Sequence, residues 1–172
     1  MIFTAFADGR LRSQDRWMQC ALGRAGVVPA ALKTEGDGAS PAGLWPLRRV
    51  LWRADRLAAP PTRLPAAAIR QGDGWCDDPA DPNYNRPVSW PYHASAERLW
   101  REDGVYDLSV VLGYNDAPVR PQRGSAIFVH VARPGFSPTE GCVALAASEL
   151  LTLLAVAAPG DALEIRVDPS PA

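Results

Sequence analysis

The chain has 172 residues, 47% apolar and 22% charged, with 18 Lys plus Arg against 19 Asp plus Glu, a net charge of −1. That size predicts one domain over residues 1–172 with a real core. The lack of any basic excess excludes nucleic acid and an anionic membrane surface as electrostatic partners. Prolines (17) and glycines (14) are frequent enough to predict many turns and short strands, with helix in the minority.

In chain order, Ile2 to Ala7 reads as a first strand, Asp8-Gly9 as a hairpin turn and Trp17 to Leu22 as a second strand. Gly23, Gly26 and Pro29 then loosen the chain. Residues 33–45, KTEGDGASPAGLW, read as a loop before a strand over Leu44 to Trp52. Arg48, Arg49, Arg53 and Arg56 lie along and beyond that strand, and the single lysine is Lys33. Guanidinium groups suit bidentate carboxylate recognition, although a GC-rich coding sequence is the simpler source of the bias.

Residues 71–91, QGDGWCDDPADPNYNRPVSWP, carry Trp75, Tyr84, Arg86 and Trp90 among four prolines. Irregular segments beyond about 12–15 residues are usually functional or disordered, and the aromatic content argues against disorder. A packed lid or substrate wall is expected, with a purely structural Ω-loop as the alternative. Ser95 to Arg101 reads as a short helix capped by Ser95. Tyr106 to Tyr114 reads as a strand buried on both faces, and Ala126 to Val129 as a buried strand delivering His130 at its end. Ala146 to Ala158 reads as a buried helix, and Ala162 to Val167 as a closing strand. The longest apolar stretch, Leu150 to Pro159, falls short of the roughly 18 residues a membrane span needs. Asp8 and Arg10 interrupt the apolar start before a secretory h-region forms.

Cys20, Cys76 and Cys142 are odd in number and show no CxxC spacing, so neither a disulfide framework nor a zinc finger is indicated. Isolated cysteines are more often buried small hydrophobes; the alternative, in an oxidising compartment, is a Cys20–Cys76 pair that leaves Cys142 free. The histidines are His93, in a proline-flanked loop and read as structural or exposed, and His130. Between His130 and Cys142 lie Pro134, Gly135, Ser137 and Pro138, which fold the chain back, and Gly141, which permits tight geometry before the thiol. The chemistry suggested is a cysteine nucleophile with a histidine base. A zinc site from His130, Glu140 and Cys142 competes, but it falls short of a structural ligand set and of the usual catalytic spacing. Cys76 is the weaker nucleophile because Asp77 and Asp78 beside it disfavour a thiolate.

The run SAIFVH (125–130) followed by TEGC (139–142) resembles the signature of the L,D-transpeptidase catalytic domain, the YkuD-like family. SPAGLW (40–45) resembles the same family's upstream Thr-Pro-x-Gly-x-aromatic motif. Two motifs in order are more specific than either alone. The chain departs from the common pattern in a shorter His-to-Cys loop, in Glu140 before the glycine and in Ala144 after the cysteine, and so resembles a divergent proteobacterial branch of short members. The resemblance implies a mainly β fold, a sandwich-like or mixed sheet core with a few short helices. It implies Cys142 as nucleophile, His130 as general base oriented by the Val131 carbonyl, backbone N–H groups of Cys142, Gly141 and Glu140 as oxyanion hole, and Thr139 as a turn residue. Neither metal nor organic cofactor is implied. The expected partners are peptidoglycan stem peptides as donor and acceptor, with crosslinking through the first-position L-Ala of the donor, and the implied place is the periplasm or cell wall by an export route the sequence does not give. Arg53, Arg86 and Arg101, chosen by residue type alone as partners for the stem's carboxylates, and Trp75 and Tyr84, from the 71–91 segment, are candidate substrate-binding residues. A hydrolase of the same bonds and a non-catalytic wall-binding module are the rival readings.

Overall fold

The computed structural model describes residues 1–171. Its main sheet starts with a meander of β1 (Ile2–Phe6), β2 (Arg10–Ser13) and β3 (Arg16–Ala21). The Asp8-Gly9 turn joins β1 to β2, not to the later strand expected from the sequence. β2 escapes notice because only Leu11 of its four residues is apolar, with Arg10 and Arg12 turned outward. β4 (Val27–Pro29) runs parallel to the start of β5 (Ser40–Trp52), which is four residues longer at its front than Leu44 to Trp52.

β5 organises the rest. Its first half, Gly43 to Pro46, pairs antiparallel with β13 (Ala162–Arg166), and its second half, Leu47 to Trp52, pairs with β10 (Leu108–Leu112). β11 (Phe128–Val131) and β12 (Val143–Leu145) complete a path β10-β11-β12-β3-β2-β1-β13-β5 that returns to β10. A closed sheet leaves few unpaired edges. The single α-helix among the described residues, α1 (Ala147–Val156), buries Leu150, Leu153 and Leu154 at helical spacing in the same core as Phe3, Leu11, Val50 and Leu163. It sits where the sequence predicts it, as do β1, β10 and β13, within one or two residues.

A second, three-stranded sheet holds β7 (Asp73–Cys76) between β8 (Pro87–Ser89) and β9 (Ala96–Arg98). The 71–91 segment is therefore partly regular, and the helix expected over Ser95 to Arg101 is a strand. Seven residues nucleate a helix poorly on their own, and pairing Trp75 with Glu97 and Cys76 with Ala96 overrides the local preference. This lid sheet packs on the barrel through Trp75, whose ring meets Phe128 edge-on at 5.0 Å. Side-chain alternation on β11 then has a direct reading. Ile127 and Val129 join the barrel core, while Ala126 and Phe128 join the lid cluster, and His130 follows them by the period of two. His130 lies inside β11, not at the end of a strand closing at Val129. All three cysteines are free and buried, Cys20 and Cys76 included.

Candidate active site

β11 and β12 run parallel, with His130 opposite Ala144. Cys142 stands two residues before Ala144 and shares its face, so thiol and imidazole project to the same side of neighbouring strands. With strands about 4.8 Å apart and a rise of about 3.3 Å per residue, their Cα atoms are about 8 Å apart, a diagonal within reach of the two side chains. Both line a cleft of about 570 Å³ between barrel and lid.

Several bonds fix the turn that carries the thiol. The Thr139 hydroxyl donates to the Cys142 carbonyl at 2.7 Å and accepts the Gly141 N–H at 3.1 Å. Ser40, from the upstream motif, donates to the same Cys142 carbonyl at 3.2 Å and accepts the Gly23 N–H at 2.9 Å. Gly141 has φ +135°, and a Cβ there would stand 2.8 Å from the Ala39 carbonyl oxygen, so no other residue fits. The Gly141 N–H is occupied by Thr139 and does not point freely at a substrate. Among the described residues the N–H groups of Glu140 and Cys142 have no protein acceptor.

The thiol donates to the Ala126 carbonyl at 3.2 Å, and its sulfur accepts the Phe128 N–H at 3.4 Å. Burial, seconded by the charge of Glu97, pushes it up to about 12. His130 is 4% exposed, and burial lowers it to about 4, with the Arg133 and Arg101 charges adding to the shift and the Val131 bond opposing it. Its Nδ1 lies 2.9 Å from the Val131 carbonyl. A carbonyl only accepts, so Nδ1 carries the proton and Nε2 keeps the lone pair. Burial thus favours a neutral thiol and a neutral imidazole. The Tyr106 ring stands edge-on to His130, with centroids 5.6 Å apart.

Of the five substrate-binding candidates only Arg101 lines this cleft, and its Nε and Nη2 are held by Asp103 at 3.0 and 2.6 Å. Arg53 is buried, paired bidentately with Asp55 at 2.8 Å and lying 3.5 Å over the Trp100 ring, because a guanidinium at the end of β5 meets a matching carboxylate two residues on. Trp75 is spent on the lid core, its indole N–H donating to Asn85 at 2.9 Å. Tyr84 is buried with its hydroxyl on Glu35. Arg86 lines a different cleft with Arg48 and Asp116. Residue type alone does not tell which way a side chain turns. The sequence reading missed Glu35, Glu97, Tyr106 and Asn85. Asn85 accepts the Ala126 N–H at 3.0 Å and so holds the residue whose carbonyl takes the thiol proton.

His93 is exposed and bound to Asp81, away from the cleft. Glu140 turns outward to Arg24, its side chain 77% exposed, so it does not join His130 and Cys142 as a ligand. Among the described residues no three His, Cys, Asp or Glu side chains converge as metal ligands.

No curated protein matches the chain. Among solved structures, an L,D-transpeptidase from Mycobacterium smegmatis aligns at 13% identity and TM-score 0.44, covering 96% of this chain and 58% of that one. L,D-transpeptidase 1 of Mycobacterium tuberculosis aligns at 14% identity and TM-score 0.42, covering 95% of this chain and 60% of that one. The chain thus spans less than two thirds of the length of either. The model of the YkuD family, described as the L,D-transpeptidase catalytic domain, matches residues 2–167, and the chain belongs to that family.

Proposed function

We propose that the protein is a cysteine-dependent L,D-transpeptidase acting on peptidoglycan stem peptides in the periplasm or cell wall, with Cys142 as nucleophile and His130 as general base. The observation that carries this reading is the shared face of Cys142, just before β12, and His130 on β11, opening on one cleft, with Nδ1 held by the Val131 carbonyl. The imidazole is left with Nε2 as its basic nitrogen.

In the first half-reaction the thiol turns from Ala126 toward Nε2 and gives up its proton as sulfur attacks the carbonyl on the L-side of an L,D peptide bond. Because both groups rest neutral, proton transfer accompanies attack and does not precede it. The tetrahedral oxyanion is held by the Cys142 and Glu140 N–H groups, about 3–4 kcal/mol for each donor correctly placed. His130 returns the proton to the departing amine, leaving a thioester. An amine of a second stem then resolves it. The donor bond is taken to be that of the first-position L-Ala, on the short His-to-Cys loop and on Glu140 and Ala144 flanking the motif.

The test is mass spectrometry of purified muropeptides incubated with the protein and with Cys142→Ala. Dimers from the wild type alone support the reading, and the mass of the released fragment reports which bond is cut. Shortened monomers without dimers would make the protein a hydrolase, and unchanged muropeptides would overturn the enzymatic reading.

A further inference from the structure

The cleft wall opposite the thiol belongs to the lid and carries the carboxylates Asp77 and Glu97 beside the guanidinium groups of Arg98 and Arg101. Glu97 pairs across the lid sheet with Trp75, so it faces the same side as the indole that packs on Phe128. Its Oε1 accepts the Tyr106 hydroxyl at 2.7 Å, while Oε2 takes no hydrogen bond among the described residues. The side chain keeps 29% of its surface and lines the cleft with Cys142 and His130. The nearest cation, Arg101 Nη1, is 3.9 Å from Oε1, and that guanidinium is committed to Asp103. Asp77 lines the same wall, and its Oδ1 is buried without a partner. The wall therefore holds more acceptor capacity than the protein uses, which buried polar groups rarely do.

Resting on the transpeptidase reading, we propose that Glu97 is the specificity-determining carboxylate of this cleft: its Oε2 receives the ammonium group of the amine that resolves the thioester and aims it at the acyl carbon on Cys142. The charges balance. The acceptor arrives as R–NH3+ and passes one proton to the Glu97 carboxylate. Its nitrogen forms the amide bond to the acyl carbon as the carbon–sulfur bond breaks. The second proton goes to His130 Nε2 and from there to the departing Cys142 sulfur, restoring thiol and neutral imidazole, and Glu97 releases its proton to water. Burial raises the Glu97 carboxyl, with the Asp77 and Asp103 charges adding and the Tyr106 bond and Arg101 opposing. A raised carboxyl is a better acceptor for an ammonium proton. Water and anionic acceptors gain nothing from this group.

The experiment compares alkylation of Cys142 by 2-bromoethylamine, iodoacetamide and iodoacetate, each rate normalised to glutathione and read by peptide mass spectrometry. Wild type is expected to favour the cationic reagent over the anionic one by about tenfold or more, the scale of one charge a few Å from the reacting atom. Glu97→Gln removes that preference and raises the iodoacetamide rate, because its charge opposes thiolate formation. Glu97→Asp, which keeps the charge, retains most of the preference and guards against misfolding as the cause. A wild type without cation preference, or a Gln variant that keeps it, overturns the proposal while leaving the nucleophile intact. A Cys142 inert to all three reagents overturns the nucleophile itself, and the proposal with it.

Discussion

Replacing Asn85 with Ala tests whether the lid positions the thiol. Asn85 is 4% exposed and its side chain makes four bonds: it accepts from the Trp75 indole at 2.9 Å and the Ala126 N–H at 3.0 Å, and donates to the Tyr114 and Asn115 carbonyls at 3.1 and 2.8 Å. At about 1 kcal/mol net per bond the loss is about 4 kcal/mol. Asn85 also sits at φ 55°, where Ala costs about 1 kcal/mol more than Asn. Water entering the vacated space recovers part of this, so about 3–5 kcal/mol is expected, a large share of the 5–15 kcal/mol typical of a domain. The assay is urea denaturation, read as a fall in midpoint at constant slope. A second readout is local. With Ala126 at φ 52° no longer held, its carbonyl loosens from the thiol, and Cys142 becomes more hydrated and alkylates faster under folding conditions. A stability loss below about 1 kcal/mol, or an unchanged alkylation rate, would refute the linkage from lid to sulfur.

Replacing His130 with Gln should lower dimer formation by about 10²–10⁴-fold, as loss of a general base does, with near-UV circular dichroism reporting that the fold persists. The same variant reports on pH. A histidine whose pKa drops from 6.5 to about 4 on folding makes the unfolded state bind more protons between those values, so stability is full above 6.5 and falls as pH drops toward 4, by about 3 kcal/mol. Urea midpoints at pH 7 and 4.5 should show that part of the acid sensitivity missing in His130→Gln. Gly141→Ala should cost about 2–3 kcal/mol, from φ +135° and the close Ala39 carbonyl, and should abolish transfer, both checked by thermal melting and product analysis. Ser40→Ala leaves the Gly23 N–H and one lone pair of the Cys142 carbonyl unpaired and should cost about 1–3 kcal/mol in urea.

The parts of the site legible in the sequence are those whose information is local. The turn formers between His130 and Cys142, and the glycine before the thiol, dictate that the chain doubles back there whatever surrounds it. Ser40 was flagged by its motif, but its bond to the Cys142 carbonyl depends on the parallel start of β5, which no local pattern reveals. Glu97 is hidden when its segment is read as a helix; as a strand it sits opposite Trp75 and lines the cleft between Ala96 and Arg98. Arg53 and Arg86 lie outside the cleft for a different reason: Arg53 is held by Asp55 two residues on and by the distant Arg101 carbonyl, and Arg86 bonds the Asp116 carbonyl, while Arg101 does line the cleft. Asn85 gave no signal beyond its place in a turn-rich stretch.

β5 is shared property. At its first residue Ser40 steadies the carbonyl of the reactive cysteine, and its two halves stitch into opposite flanks of the ring. It already holds one bulge, at Arg48, where Val111 faces Arg49 and Leu112 faces Leu47, and a further added residue would put one half out of step with its neighbour and turn its side chains to the other face. A one-residue change of length within the thirteen residues of β5 is consequently expected to cost more stability than one in a connection, because this strand serves both flanks of the ring and the reactive cysteine.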